Sequence, residues 1–520
     1  MNHTFDLIIV AVYLVSMAVL GMRFSRRQTT TENYFVAKRS VPGWAMGMSM
    51  LATMISSVTF VAYPGSSYAG DWSLLVPGFL LIGTLPLVAK VVIPFYREEV
   101  GMSAYEYFQR RFGRPARLYA SAAFSLAHFS KMGFVLYLMA LTISSMTGWN
   151  IHIVIFSVAV ITVFYTVIGG IEAVVWTDVV QGFVMWIGIA VALGFLLLLP
   201  EGGPAAVFSI AAENGKFSLG SLDWDWSRPT IPVAILYGLF WYGQRYVADQ
   251  TMVQRYLLAK SDRAALRGVR LGALLCVPVW ALFMLIGTSV WSFFKLSGQA
   301  IPSAITKADQ MFPYFLSAYL PPGMLGLLLA ALTGAAMTML ASDLNSLGSV
   351  ATEDFYRAVR PRSTDRERLR AARIIVIVTG LLNTVTALAL VQSKGSALSM
   401  WFAVSAIASG GLAGLFLLAF LLARATRAGA YIGIAASTAF TIWAVLTKGT
   451  KPLVNLAPLN FPYDELTIGA IGNIVLFVVG AAASLLTVRH AVEQAADPDA
   501  GTLWHWLRSR RERITKAGAA

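Results

Sequence analysis

Cysteine is almost absent from this sequence, and charged residues are scarce. A single cysteine, Cys276, occurs in 520 residues, so no disulfide can form within the chain. Only 13% of the residues are charged, whereas 57% are hydrophobic. No loop between hydrophobic segments exceeds about 30 residues, which leaves no room for a kinase or a nucleotide-binding domain with its Walker motif. These absences argue against ATP-driven transport and against a fused sensor kinase.

Hydrophobic segments of about 20 residues recur along the chain, and this is the length that crosses the hydrocarbon core of a bilayer. We predict about 13 such spans, at 5–22, 43–64, 72–96, 118–147, 150–169, 173–199, 229–250, 271–294, 323–350, 373–392, 398–423, 428–447 and 464–487. The first segment lacks the basic region and the cleavage site of a signal peptide, so we predict a retained helix. The fold class is therefore an all-α polytopic membrane protein, since a β-barrel would show short alternating segments.

The net charge of +14 is distributed in a pattern that indicates membrane topology. Basic clusters follow the first, third, seventh, ninth and eleventh spans, at 23–39, 97–117, 255–270, 357–370 and 424–427. The connection at 200–228 is acidic, and the tail after the last span is basic again. By the positive-inside rule, this predicts a multi-pass protein of the inner (plasma) membrane with the N-terminus outside and the C-terminus in the cytoplasm. The charge does not indicate binding to nucleic acid.

Two predicted spans contain residues that interrupt helices. The second has serine and threonine from Ser56 to Thr59, followed by Pro64 and Gly65, and the seventh has glycine and polar residues from Gly238 to Arg245. Irregular backbone at membrane depth has to line a cavity or a binding site. Two such spans, five apart and of opposite topology, are typical of an inverted-repeat transporter.

An aspartate lies inside the apolar stretch "AVVWTDVVQGFVMW", residues 173–186. Carboxylates within a membrane are costly and are usually functional, so Asp178 is either a ligand for a cation, a proton carrier, or the structural partner of a Lys or Arg. In the ninth span, Ala335, Thr338, Met339 and Ser342 recur on one helical face. This face offers room for an ion with oxygen ligands, and it also suits close helix packing.

Positively charged residues also lie at membrane depth. Lys131 is central in the fourth span, one turn after His128, and Arg245 is in the interrupted seventh span. They indicate either an anionic group on a substrate or ion pairs with Asp178 or Asp249, and an arginine suits a carboxylate because it binds both oxygens. His128 by itself is typical of a packing residue. No nucleophile or metal-ligand motif accompanies these residues, so we do not expect an enzyme.

Several stretches together resemble the sodium:solute symporter family. The most specific is "YTVIGGIEAVVWTDVVQGFVMW", which is similar to the family's signature of a glycine pair, Trp-Thr-Asp and Gln. The others are "ADQTMVQRYLLAKSDRAALRGV", "LNSLGSVATEDFYR" and "RATRAGA", which resemble the regions at the ends of core helices 6, 8 and 10. The resemblance covers nearly the whole chain.

The resemblance implies a leucine-transporter-like fold of two inverted five-helix repeats. Residues 1–42 would form an extra N-terminal helix and a loop, and residues 43–427 the transporter core, with repeats at 43–199 and 229–427. Residues 428–487 would add two helices, and residues 488–520 would form a basic cytoplasmic tail, which either lies on the inner leaflet or is partly disordered. The interrupted spans would be core helices 1 and 6.

The resemblance also implies ion sites. The family's primary sodium site maps onto the carbonyls of Ala52, Ile55 and Ala335 and the hydroxyl of Thr338, but its second hydroxyl position is Met339. A thioether is a poor ligand for sodium, so we expect this site to be weakened.

A second cation site, present in some members of the family, maps onto Asp178 and Ser342. Its remaining hydroxyl position is Ala341, which has no oxygen to offer.

For the solute, the sequence predicts a site near Ser56, Thr59, Gln244, Arg245 and Lys131. The Glu-Gln pair of the sugar-transporting members is replaced by Val58-Thr59, and "SSVTFVAYPGSSYAGDW" is more similar to the branch that handles monocarboxylates, vitamins and iodide. We predict Na⁺-coupled symport of a small organic solute, such as a carboxylate, into the cytoplasm by alternating access. The alternatives are a proton-coupled or uncoupled transporter of the same fold, and a transporter-like solute sensor.

Overall fold

A computed structural model describes residues 4–303, 305–392, 407, 410–449, 452–491 and 502–518. Long helices dominate these ranges. We number the principal helices α1 (Thr4–Phe24), α2 (Gly43–Met54), α3 (Ser57–Ala69), α4 (Ser73–Glu99), α5 (Arg114–Thr147), α6 (Ile151–Leu198), α7 (Ile231–Val247), α8 (Gln250–Leu258), α9 (Asp262–Ser297), α10 (Met324–Val359), α11 (Asp365–Gln392), α12 (Leu412–Leu421), α13 (Arg427–Thr447), α14 (Leu466–Ala491) and α15 (Leu503–Gly518). Short helices at Thr31–Val36, Glu106–Phe112, Gly203–Glu213 and Met311–Tyr319 lie in the connections.

Within the described residues, nine helices are long and apolar enough to cross a membrane, and the bent pair α2–α3 forms a tenth span. Helix α7, at 17 residues, is shorter than a full span. Part of the predicted span at 398–423 lies outside the described residues, and its described part includes α12. The predicted total of 13 spans therefore stays a prediction.

The second predicted span is broken where its serine-rich segment begins. Helix α2 ends at Met54, α3 starts at Ser57, and the two axes differ by 58°. Ile55 and Ser56 adopt extended backbone conformations between them. Pro64 and Gly65, by contrast, lie inside α3, so the hydroxyl-bearing residues and not the proline mark the break.

The seventh predicted span is also broken, but further along the chain than its glycines suggest. Gly238 and Gly243 lie within α7, and the helix ends at Val247. Asp249 then caps α8, because its side chain accepts a hydrogen bond from the backbone N–H of Thr251 at 2.8 Å. The span continues to Leu258, eight residues beyond its predicted end, and α8 is buried along its whole length.

Glycines allow the broken helices to pack closely. Helix α2 packs against α9, and a Cβ atom on Gly47 would lie 2.5 Å from the carbonyl oxygen of Gly268. Within α6, Gly170 has a φ of 56°, which separates two helical segments that match the predicted spans at 150–169 and 173–199. These positions hold α2 and the segment carrying Asp178 in the centre of the molecule.

The C-terminal tail contains a helix that contacts the transporter. In α15, the indole nitrogen of Trp506 donates to Glu98 at 3.0 Å, and Arg513 pairs with the same carboxylate at 2.9 Å. Glu98 is at the end of α4, so the tail is attached to the protein through this residue. The described part of the tail at Leu503–Gly518 is thus helical, and its position on the inner leaflet stays a prediction.

Candidate substrate and ion-binding site

A cavity of about 340 Å³ lies beside the breaks in the two interrupted spans. Residues of α2, α3, α5, α7, α9 and α10 line it. All five residues that the sequence predicts for solute binding are in the lining: Ser56, Thr59, Lys131, Gln244 and Arg245. A volume of this size, with apolar walls and a few polar groups, is typical of a small-molecule site.

Aromatic rings form much of one wall of the cavity. The ring of Trp280 lies 5.7 Å from that of Tyr242 and 6.4 Å from that of Tyr63, measured between centroids. Tyr237 and Trp241 stack on each other at 5.6 Å and belong to the same lining. This wall supplies rigid apolar area for a solute.

We give the name cavity cluster to five charged residues: His128, Lys131, Arg245 and Asp249, which line the cavity, and Asp343, which has no exposed surface. Arg245 forms an ion pair with Asp249, one helical turn away. Lys131 lies 2.9 Å from Asp343, and His128 lies between the two carboxylates. Lys131 therefore pairs with Asp343 of α10, whereas the sequence suggested Asp178 or Asp249.

The predicted primary sodium site combines α10 with the end of α2. The hydroxyl of Thr338 lies 3.1 Å from the carbonyl oxygen of Ala52 and 3.1 Å from that of Ala335. Ile55, whose carbonyl is the fourth predicted ligand, is buried at the break, and its N–H donates to Ala52. Oxygen atoms thus converge beside the C-terminal end of α2, and such an arrangement suits a small hard cation. These four residues remain predicted ligands.

Met339 follows Thr338 and lines the cavity itself. Its side chain is buried, with 8% of its surface exposed. A thioether thus occupies the position where the resemblance implies a second hydroxyl, and a weakened sodium site stays a prediction.

Asp178 is completely buried, and its main partner is an arginine that also has no exposed surface. Asp178 Oδ2 accepts hydrogen bonds from Ser49 at 2.6 Å and from Arg255 at 3.1 Å. The guanidinium of Arg255 also donates to Thr53 and Ser342 at 2.6 Å each, and to the carbonyl of Thr251 at 2.7 Å. We call Asp178 and Arg255 the sealed pair.

The sealed pair places a guanidinium between Asp178 and Ser342, the two residues predicted to bind a second cation. This is the ion-pair interpretation of Asp178 that the sequence left open. A second cation site at these residues stays a prediction, and it now requires a cation that shares Asp178 with Arg255.

Sequence reasoning overlooked the roles of Arg255 and Asp343 and interpreted His128 as a packing residue. Arg255 was counted among the basic residues that follow the seventh span, yet it is buried in α8. The signal that identifies it is its position seven residues after the break at Ala248–Asp249, where the chain is still inside the protein.

The sequence and the fold are both similar to those of known transporters. The model of the sodium:solute symporter family matches residues 34–436. The sodium/sialic acid symporter NanT of Aliivibrio fischeri is 31% identical over 485 residues, which cover 92% of each chain. The sodium/sialic acid symporter SiaT of Proteus mirabilis is 32% identical over 443 residues, covering 84% of this chain and 89% of that one.

A solved structure of a Na⁺-coupled sialic acid symporter, in a substrate-bound outward-open state, has a similar architecture. It superposes with a TM-score of 0.85 at 30% sequence identity, and the match covers 93% of this chain and 98% of the other. The helices described above therefore follow the same path as those of a sodium-coupled transporter.

Proposed function

Because this chain belongs to the sodium:solute symporter family, and is thus a sodium-coupled secondary transporter with a leucine-transporter-like fold, we propose that its solute is a small organic carboxylate. The observation that carries this proposal is the presence of Lys131 and Arg245 in the lining of the central cavity. Both cations are nearly buried, with 11% and 10% of their side-chain surfaces exposed. A buried cation that faces a cavity favours an anion there, because charge-assisted hydrogen bonds are strong where water is scarce.

The relatives support a carboxylate as the solute class. Two of them are named as sodium/sialic acid symporters, and sialic acid carries a carboxylate. In this chain, the carboxylate would contact Lys131 and Arg245, and Ser56, Thr59 and Gln244 would contact the polar remainder of the solute. The aromatic wall would cover its apolar face.

We propose that the coupling ion binds at the break of α2. Sodium would bind to the carbonyls of Ala52, Ile55 and Ala335 and to the hydroxyl of Thr338. Since Thr53, Met54 and Ser56 of the same segment line the cavity, an ion at this point would order the residues that contact the solute. This shared segment is the physical link between sodium binding and solute binding.

We further propose that the chain lies in the inner (plasma) membrane with its N-terminus outside and its C-terminus in the cytoplasm. The basic residues near the start of α2 and in α15 support this orientation. Symport of one Na⁺ with one monoanion moves no net charge, so the sodium concentration gradient alone would drive uptake.

The proposal is tested by transport into liposomes that contain the purified protein. We expect labelled sialic acid to accumulate under an inward Na⁺ gradient and not under an equal K⁺ gradient. The methyl ester of the same solute, which lacks the negative charge, should compete at least about tenfold less well, because a charge-assisted hydrogen bond contributes about 1.5–3 kcal/mol.

Two matched variants distinguish the effect on solute affinity of a charge in the cavity from that of a charge on the surface. Arg245→Gln should lower solute affinity, whereas Arg228→Gln, at an exposed arginine of the 200–228 connection, should leave it unchanged. Na⁺-driven accumulation of neutral solutes with exclusion of carboxylates would overturn the proposed solute class.

A further inference from the structure

Helix α14 lies beyond the part of the chain that the family model matches, yet it reaches the central cavity. The match ends at residue 436, and α14 begins at Leu466. Leu466 is one of the residues that line the cavity, and α14 packs against α7, the helix that carries Gln244. Asn473, a buried asparagine of α14, contacts the side chain of Gln244. A helix outside the matched region therefore touches a residue that the sequence predicts to bind the solute.

Two backbone groups fix which end of the Asn473 amide donates and which end accepts. Its Oδ1 atom accepts a hydrogen bond from the N–H of Gly414 at 2.8 Å, and a backbone N–H can only donate. Its Nδ2 atom donates to the carbonyl oxygen of Gly469 at 2.8 Å, and a carbonyl oxygen can only accept. The two partners independently define the same orientation of the amide.

The bond to Gly414 has a structural cause at the start of α12. The first N–H groups of a helix have no partner within that helix. The N-cap of α12 is Gly411, which has no side chain to supply an acceptor, so Asn473 Oδ1 is the acceptor for Gly414. The two helices also touch at this point, because a Cβ atom on Gly414 would lie 2.3 Å from the carbonyl oxygen of Asn473. Packing of α12 against α14 therefore holds the Asn473 side chain in place.

The Asn473 amide in turn determines the orientation of Gln244. Asn473 Nδ2 lies 3.4 Å from Gln244 Oε1, a longer contact than the two that hold Asn473. Because Nδ2 can only donate, the oxygen and not the nitrogen of the Gln244 amide is turned towards α14. Among the residues that the structure describes, the Gln244 side chain has no other hydrogen-bond partner. Its two N–H bonds are thus left for a group in the cavity that Gln244 lines.

We propose that Asn473 is a positioning residue of the solute site, which holds the Gln244 amide so that its N–H bonds donate to an oxygen of the solute. This inference rests on the proposed function, because it takes Gln244 as a contact of the solute. It adds α14 to the helices that form the site. It also specifies the chemistry at Gln244, where a hydroxyl, carbonyl or carboxylate oxygen binds and an ammonium group, which can only donate, is excluded.

Substitutions at Asn473 test this positioning role through solute affinity. Asn473→Leu removes both ends of the amide at a similar size, and Asn473→Ser is a smaller variant that cannot reach Gln244. In Na⁺-driven uptake of labelled sialic acid, each should raise the KM about threefold to tenfold, which corresponds to the loss of one hydrogen bond. The rate at saturating solute and the Na⁺ concentration for half-maximal uptake should stay close to wild type, whereas general damage to the fold would change both.

A matched control lies on the same helix. The hydroxyl of Ser484 accepts a hydrogen bond from the backbone N–H of Thr426, the N-cap of α13, at 3.1 Å. Ser484 thus resembles Asn473 in joining α14 to the start of another helix. Ser484→Ala should lower the unfolding temperature and leave the KM for sialic acid unchanged. An equal rise in KM in both variants would mean that Asn473 acts through packing alone.

A double-mutant cycle tests whether Asn473 acts through Gln244. Gln244→Met should itself raise the KM, and the addition of Asn473→Leu should raise it no further, because the group that Asn473 positions is already absent. If the two increases in KM multiply instead, the residues act independently and the inference is wrong.

The inference and the proposed solute class can fail separately. If neither sialic acid nor lactate is bound or transported, the solute class is wrong. The wild type and the three variants of the cycle are then compared by thermal unfolding, where a contact between positions 244 and 473 makes the combined shift differ from the sum of the single shifts. Additive shifts would overturn the positioning role for any solute.

Discussion

Two groups of buried charges lie within the same bundle, and they differ in their access to the cavity. The sealed pair, Asp178 and Arg255, has no exposed surface and is surrounded by hydroxyl and carbonyl groups of the protein. In the cavity cluster, Lys131 and Arg245 retain about a tenth of their side-chain surface at a space large enough for a solute. Similar ion pairs therefore serve different purposes. The sealed pair connects helices, and the cavity cluster has charges that can exchange partners with a ligand.

The largest effect should come from removing one charge of the sealed pair. Arg255→Met leaves Asp178 buried without its cation, which should lower the free energy of unfolding by about 3–5 kcal/mol. Thermal unfolding of the purified protein measures the loss. The double variant Asp178→Asn with Arg255→Met leaves no charge behind and should recover most of the stability. A double variant that is as unstable as the single one would show that the geometry of the pair, and not the unpaired charge, is responsible.

An equivalent change in the cavity cluster should affect stability less and binding more. Lys131→Met leaves Asp343 with His128 as a partner, so we expect a loss of about 1–3 kcal/mol in stability. Solute affinity should fall by roughly tenfold to a hundredfold, because a charge-assisted hydrogen bond to the carboxylate is lost. Thermal unfolding and solute titration on the same samples test both parts. Lys131→Arg is the control that retains the charge, and a stability loss as large as that of Arg255→Met would remove the distinction between the two groups.

A smaller effect is expected at the predicted sodium site, which has oxygen ligands but no charge. Thr338→Val keeps the shape of the side chain and removes the hydroxyl that contacts Ala52 and Ala335. The Na⁺ concentration for half-maximal uptake should rise about tenfold, equivalent to about 1.4 kcal/mol, with little change in unfolding temperature. Thr333→Val, whose hydroxyl bonds only within its own helix, is the matched control. Unchanged Na⁺ dependence in Thr338→Val would place the ion elsewhere.

The smallest expected effect is a gain in Na⁺ affinity, whereas the variants above lose stability or affinity. Met339→Ser would supply the second hydroxyl that the family has at this position, so the Na⁺ requirement should fall by a few-fold, about 0.5–1 kcal/mol. Uptake at limiting Na⁺ measures this gain. A decrease in Na⁺ affinity would instead indicate that Met339 shapes the cavity wall and does not stand in for a ligand.

Much of the fold was predictable because its signals are local. Membrane spans, the break at Ile55–Ser56 and the separation of two segments at Gly170 follow from hydrophobic length, hydroxyl-rich sequence and glycine. The family and the leucine-transporter-like fold, predicted from four short motifs, are confirmed by the comparisons. Four of the five solute-site residues come together in one cavity for the same reason, since they lie near the two breaks, and Lys131 of α5 lines the same cavity.

The charge partners were not predictable, because they depend on contacts between distant segments. Arg255 resembles the other arginines that follow a span, and only the continuation of the broken span through α8 places it beside Asp178. Likewise, Asp343 lies next to the predicted ion-binding face of α10 in sequence, but its partners His128 and Lys131 are on α5. A helical periodicity gives the direction of a side chain on its own helix and contains no information on which helix it meets.

The position of Arg255 has a consequence for how the helices around it separate. Its guanidinium bonds to Ser49 and Thr53 of α2, Asp178 of α6, Ser342 of α10 and, within its own helix, the carbonyl of Thr251. Four helices thus share one side chain, and none of them can move away without breaking bonds that the others depend on. We therefore expect these helices to separate cooperatively. Spectroscopic labels on α2 and α10 should then relax at one common rate. Independent rates would mean that the helices separate one at a time.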